Sequence, residues 1–324
     1  MTLPTNPPAK ANQTTIGILA AIGAEVLYGC SFVFTKDVTD TIDPFTLLGW
    51  RFATALAAML VLMAVRVIKV RVTRATIKPL LLLAVFQPLL YYLGETYGIK
   101  RTTASESSLI ISAIPVAIVV TAALLLRRRP LRQQVIGISV TLVGVIGTVV
   151  AAGLTASFDP IGYLLLLTAV ASYAFYAAYA DRHAQAAADI DKTFVMVAAG
   201  ALVFGTVTVA QHAASHTLPE LVRLPITHPS FAIAVAYLAL GSTIAAFFLQ
   251  NLSIGRIGST RYSTFIGVTT LTALATGAIF LHERLSIGQL AAGLVILAGV
   301  YIANRRSESV RRSKDDNQDT AEIS

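Results

Sequence analysis

Apolar residues fall along this chain in long runs rather than in alternation. Windows nearly free of Asp, Glu, Lys and Arg recur at 16–36, 44–65, 79–99, 105–126, 133–154, 160–180, 193–212, 230–250, 261–281 and 285–304. A helix needs roughly 20 mostly apolar residues to cross a bilayer. Several stretches contain none of those four charges, including 109–126, 135–158, 161–180 and 262–281. None shows the period-2 pattern of a membrane β-barrel, so helices are predicted. The connections are short, which makes neighbours antiparallel; the longest breaks are 66–78 and 212–229. The pattern therefore predicts an all-α integral membrane protein of ten transmembrane helices. The flanking segments 1–15 and 305–324 read as a polar N-terminal tail and a charged C-terminal tail that cannot bury a core.

Composition agrees. Of 324 residues, 55% are hydrophobic and 13% charged, and mean hydropathy is +0.71. Soluble domains carry about 25% charged residues, so a soluble enzyme, a disordered chain and an ordinary nucleic-acid-binding domain are excluded. The net charge of +8 is explained by placement. With the N-terminus inside, 19 Lys and Arg lie in inner segments and five in outer ones. The positive-inside rule then puts both termini in the cytoplasm of a cell (inner) membrane protein. No nucleic-acid partner is needed, and anionic lipid is expected at the basic loops. The one cysteine, Cys30, permits no internal disulfide and no thiolate metal cluster.

A shift of 155 positions lays the second half on the first. Matched pairs include Ile99/Ile254, Arg101/Arg256, Ser108/Ser263, Gln134/Gln289, Gly144/Gly299 and Val145/Val300. The units are 16–154 and 160–304, five helices each. Because five is odd, the second unit enters the membrane from the opposite side. Inverted repeats with a midplane site between them are a recurring transporter plan.

Particular residues carry a family resemblance. Tyr28-Gly29-Cys30-Ser31-Phe32-Val33 followed by Lys36, Pro44 followed by Trp50-Arg51-Phe52, Pro115, and His282-Glu283-Arg284-Leu285 with Gln289, Gly293 and Gly299 resemble the EamA-type transporters of the drug/metabolite transporter superfamily. The resemblance spans essentially the whole chain. It implies two five-helix repeats and export of amino acids, other metabolites or drugs. Two positions depart from the pattern: Arg128 stands where an acidic residue would match Glu283, and Thr270 replaces the proline that Pro115 leads one to expect.

Ionisable groups at membrane depth usually face a cavity or a partner. Glu25 lies near the middle of the first window and shares a helical face with Tyr28, Phe32 and Lys36. Either it binds a substrate amine or carries a proton, or it is neutralised and holds helices together. Arg51, about 10 Å deep by helical rise, either pairs with Glu25, holds a substrate carboxylate through its fork of donors, or snorkels to the interface. In the third window Gln87, Tyr91, Gly94, Glu95 and Gly98 share a face; their repeat counterparts are Ser242, Ala246, Leu249, Gln250 and Ser253. That stripe is a pathway wall or interhelical glue. Tyr173 and Tyr176 in the sixth window and Phe247 in the eighth suit an aromatic-walled cavity. The candidate pathway is thus Glu25, Tyr28, Arg51, Gln87, Tyr91, Glu95, Tyr173, Tyr176, Phe247 and Gln250. Pro88 and Pro115 should kink their helices. His212 and His216 lack a carboxylate or thiolate at ligand spacing, so no metal site is predicted. Glu106 reads as a favourable helix N-terminal charge.

No G-x-x-x-x-G-K-[ST] motor signature, G-x-S-x-G elbow or HExxH pair occurs. No catalytic residue and no cofactor is predicted. The expected function is secondary transport, exporting a small organic metabolite (amino-acid-like or amphipathic) by alternating access. A drug or cation efflux carrier is the alternative, and a non-transporting scaffold or sensor is the third class. Expected partners are the small-molecule substrate, membrane lipids and a proton or exchange solute; a homodimer is compatible with the pattern.

Overall fold

The computed structural model describes residues 8–126, 131–153, 159–182 and 187–302. Among them all regular structure is helical. The principal helices are α1 (Pro8–Thr39), α2 (Pro44–Ala64), α3 (Thr76–Arg101), α4 (Ala104–Ile111 and Ile114–Leu126), α5 (Arg132–Gly153), α6 (Pro160–Arg182), α7 (Asp189–Ala214), α8 (Pro229–Ile257), α9 (Ser263–Phe280) and α10 (Ile287–Ile302). Among the described residues, nine segments are long and apolar enough to cross a membrane, and α10 is a shorter apolar helix. Arg128 and the C-terminal tail lie outside the described residues. The connection between α7 and α8, predicted as a plain break, holds the short helix Leu218–Thr227, anchored by buried Leu221.

Local chemistry sets the helix starts. Asp43 accepts the Phe45 N–H (2.9 Å) with Pro44 in the first turn of α2. Asp159 accepts the N–H groups of Ile161 (2.9 Å) and Gly162 (3.0 Å) ahead of α6. Thr103 accepts the Glu106 N–H (3.0 Å) ahead of α4. Each side-chain oxygen satisfies a donor that the first helical turn leaves open. Asp159 also pairs with Arg101 at 2.8 Å. The Gly162 N–H, Arg101 and the Ile161 N–H together hold its carboxyl below the usual carboxylate range.

The connections sort into two ends. Lys36 Nζ reaches the Lys100 carbonyl (3.4 Å), Arg101 meets Asp159, and Thr46 Oγ1 meets His212 Nε2 (3.1 Å) at one end. At the same end Glu283, between α9 and α10, accepts the backbone N–H groups of Ala104 (2.8 Å) and Ser105 (2.9 Å). At the other end the Arg71 N–H donates to Asp191 (2.8 Å), and Arg256 Nε donates to Gln13 (2.8 Å). This is the sorting that antiparallel neighbours require.

Two irregularities shape the interior. In α3 regular winding fails at Val85–Leu90: Gln87 has extended backbone (φ −139°, ψ 118°) and Pro88 carries no N–H. Ser172 of α6 donates to the Phe86 carbonyl there (2.8 Å). In α8 the stretch Tyr237–Ala245 is wound as a π-helix. The 155-residue shift lays 85–90 on 240–245. α4 is interrupted at Ser112 and Ala113, just before Pro115, as the proline predicted, whereas α9 continues through Thr270. The final helices of the two units meet at glycine. A Cβ at Gly144 would lie 2.6 Å from Ile296, and one at Gly299 would lie 2.5 Å from the Thr141 backbone nitrogen. These positions are one repeat apart, so the contact is reciprocal.

Candidate functional site

A small cavity opens where α1, α3, α4, α6 and α9 converge. Its lining is Glu25, Tyr28, Gln87, Tyr91, Tyr173, Thr269, Ile111, Ile114 and Ile266. Half of the candidate pathway residues therefore meet in one place. The cavity measures about 20 Å³, room for about one water molecule, so an organic solute requires the helices to part.

Glu25 is 3% exposed. Its carboxylate accepts a hydrogen bond from Thr269 Oγ1, and the Glu25 carbonyl accepts from the same hydroxyl at 2.8 Å. No ion pair among the described residues includes Glu25. The proposed pairing with Arg51 is absent, because Arg51 is held elsewhere. Behind the cavity, Gln250 of α8 bridges two lining residues: Tyr28 Oη donates to Gln250 Oε1 (2.5 Å), and Gln250 Nε2 donates to Gln87 Oε1 (3.1 Å). On α3 the Tyr91 hydroxyl donates to Glu95 (2.7 Å) one turn further on.

Arg51 does not snorkel; it is 1% exposed. Its Nε donates to Thr243 Oγ1 (2.7 Å) and its Nη2 to Ser242 Oγ (2.9 Å), both on the π-wound stretch of α8. Its guanidinium lies 4.1 Å from the centre of the Tyr92 ring. A buried charge is costly unless it is well partnered, and here its partners are neutral hydroxyls and an aromatic face.

The aromatic candidates form a connected set of rings. Tyr91 and Tyr173 centroids are 5.7 Å apart, Tyr173 and Tyr176 5.6 Å, Tyr92 and Phe247 5.9 Å, and Tyr28 and Phe247 6.5 Å. Tyr176 lies beyond the cavity and donates to Asn251 (3.0 Å), which reaches Thr193 (3.3 Å). Phe247 is fully buried behind Tyr28 and Tyr92.

The α3 stripe divides between its two readings. Gln87, Tyr91 and Glu95 belong to the cavity and its extension. Gly94 is glue: a Cβ there would come within 2.6 Å of the Leu165 carbonyl of α6. Glu106 is more than a dipole partner, since its buried carboxylate accepts from Gln289 Nε2 of α10. His212 is tied to Thr46 and to Thr217 (2.7 Å), and no group of metal-ligating side chains occurs among the described residues.

Sequence reasoning missed Thr269, Ile111, Ile114 and Ile266. The isoleucines give no signal, because apolar side chains in an apolar run are equally at home against lipid. Thr269 gives little more, because α9 carries hydroxyls also at Ser263, Thr264, Thr270, Thr272 and Thr276.

Comparison with known proteins is consistent with this architecture. Residues 15–150 and 160–305 each match the EamA-like transporter family. The chain is 30% identical over 294 residues to the uncharacterized transporter YcxC of Bacillus subtilis, covering 90% of this chain and 94% of the relative. It is 25% identical over 202 residues to a protein of Salmonella typhimurium named a probable amino-acid metabolite efflux pump, covering 61% of this chain and 67% of that one. A solved crystal structure, 20% identical, covers 91% of this chain and 97% of its own with a TM-score of 0.58; that likeness concerns the fold alone.

Proposed function

The chain belongs to the EamA-like transporter family of the drug/metabolite transporter superfamily, and from that premise we propose that it exports a small, amino-acid-like organic solute by alternating access. It is a multi-pass membrane transporter. In the proposed arrangement ten helices form two inverted units, 16–154 and 160–304, with both termini cytoplasmic in the cell membrane. The end bearing Arg101, Asp159 and Glu283 is then the outer face. Charge placement in the sequence supports that orientation: 19 of the basic residues belong to segments predicted to face the opposite side.

The observation that carries the proposal is the cavity at Glu25. A carboxylate buried at membrane depth, ringed by Tyr28, Tyr91 and Tyr173 and without a fixed cation among the described residues, is a site for a substrate ammonium or a proton. Tyr28, Gln87, Tyr91 and Tyr173 form the wall, Gln250 fixes two of them, and Glu95 with Arg51 extends the path. Tyr176 and Phe247 support it from behind. The Salmonella relative's name supports an amino-acid-like substrate. The tyrosine ring also favours a second reading, efflux of an organic cation.

The test is flux in proteoliposomes loaded with labelled amino-acid pools, with and without an imposed pH gradient, for the wild type and Glu25→Gln. The expected result is gradient-dependent flux that falls at least tenfold in the variant. No flux from folded wild type, or equal flux in Glu25→Gln, would overturn the reading.

A further inference from the structure

Arg51 and Glu95 are oppositely charged, buried (1% and 4% exposed) and unpaired with each other. Buried opposite charges in one neighbourhood ordinarily close into an ion pair, because each gains more from the other than from a neutral dipole. Here a chain of contacts through two tyrosines links them. Arg51 lies on the face of Tyr92 at 4.1 Å, Tyr92 meets Tyr91 edge-on at 5.1 Å, and Tyr91 donates to one Glu95 oxygen at 2.7 Å. The charges thus cap the two ends of a short aromatic bridge.

We infer that this arrangement is a second binding station, one that receives a zwitterion, with the carboxylate on Arg51 and the ammonium on Glu95. The inference rests on the transport reading above and deepens it. The donor arithmetic permits it. A guanidinium has five N–H donors, and Thr243 and Ser242 take two of them. Those two hydroxyls hold the guanidinium in one orientation from the π-wound stretch of α8, so the planar fork is preorganised for a carboxylate. Glu95 keeps its second oxygen for an ammonium. Tyr91 belongs both to this bridge and to the cavity at Glu25. The two stations are therefore adjacent, about one helical turn apart along α3. The second lies toward the end that bears Arg101 and Glu283, so a solute handed on from Glu25 meets it before leaving on that side. A simple amine satisfies Glu95 and leaves Arg51 as it was; only a solute with both charges engages the whole station.

The experiment measures export of pooled labelled L-amino acids and of the pooled amines that differ from them by loss of the carboxylate. Wild type, Arg51→Gln, Arg51→Lys and Glu95→Gln are each reconstituted. Wild type is expected to favour amino acids over the matching amines by at least tenfold. Arg51→Gln should lower amino-acid flux at least tenfold more than amine flux, chiefly through KM, and Arg51→Lys should restore part of the difference. Glu95→Gln should weaken both pools. Equal losses for both pools in Arg51→Gln would make Arg51 a brace between α2 and α8 and overturn the inference, as would a wild type indifferent to the carboxylate. A wild type that moves neither pool would overturn the transport reading itself. If Arg51→Gln does not fold, melting of wild type decides: amino acids should raise Tm more than the amines at equal concentration, and equal shifts would overturn the station.

Discussion

The third helix of the first unit and its counterpart in the second lose regular winding at the same register by different means. In α3 the break is made by Pro88 and the extended Gln87; in α8 the same positions are Ser242 and Thr243, and the backbone stays helical but loosely wound. The fourth pair differs more. α4 is interrupted before Pro115, whereas α9 runs unbroken and Thr270 donates to the Ser108 carbonyl of α4 (3.2 Å). The chemistry divides along the same line. Glu25, Arg51 and Glu95, the charges deep within spans, come from the first unit. The hydroxyls and amide that receive them or back the cavity, Thr269, Ser242, Thr243 and Gln250, come from the second. Duplication supplied the geometry twice; charge was placed on one copy and its sockets on the other. The lesson is that a repeated helix plan does not make the surroundings of the cavity symmetric in chemistry.

The comparison can be broken most severely at α9. Thr270→Pro would impose on it the proline of α4, removing a backbone donor and the bond to Ser108. A loss of about 3 kcal/mol is expected, read as a lowered unfolding midpoint in denaturant; an unchanged midpoint would mean that α9 tolerates the break as α4 does. Next in size is Thr269→Val, which keeps the shape of the socket and removes its hydroxyl. Leaving a buried acceptor short of a partner costs about 1–3 kcal/mol. Transport should fall between roughly fivefold and a hundredfold, while Thr276→Val, further along α9, leaves it unchanged. The smallest effect concerns Asp159, at the junction of the two units. Its pKa is lowered in the folded protein, so the stabilisation is fully present above about pH 4, the unfolded value, and is lost as pH falls through the folded value. Wild type should melt above Asp159→Asn at neutral pH, and the two curves should converge in acid. A gap independent of pH would assign the contact to shape rather than charge.

Much of this was legible in the chain. The spans show because lipid tolerates so few charges, and each polar residue inside a window is therefore informative. That is why Glu25, Tyr28, Gln87, Tyr91 and Tyr173 stood out and proved to share a cavity. The repeat register showed in Gly144 and Gly299, which do touch the opposite units' helices. Partners were harder to read. The suggested pair of Arg51 with Glu25 followed charge alone, whereas the folded chain gives Arg51 two hydroxyls from a helix nearly 200 residues away. Serine and threonine are common in membrane helices and bond their own backbone, as Ser108, Thr148 and Thr276 do here. Nothing in the sequence distinguishes such residues from those that reach across.

Glu283 has a consequence for the order in which the molecule is made. The amides of Ala104 and Ser105 open α4, yet their acceptor lies 179 and 178 residues further along. At about 5–20 residues per second on the ribosome, that interval is on the order of ten to forty seconds. Throughout it, the start of α4 is still awaiting its acceptor. The start of α4 thus gains its last acceptor only when the link after the ninth helix arrives.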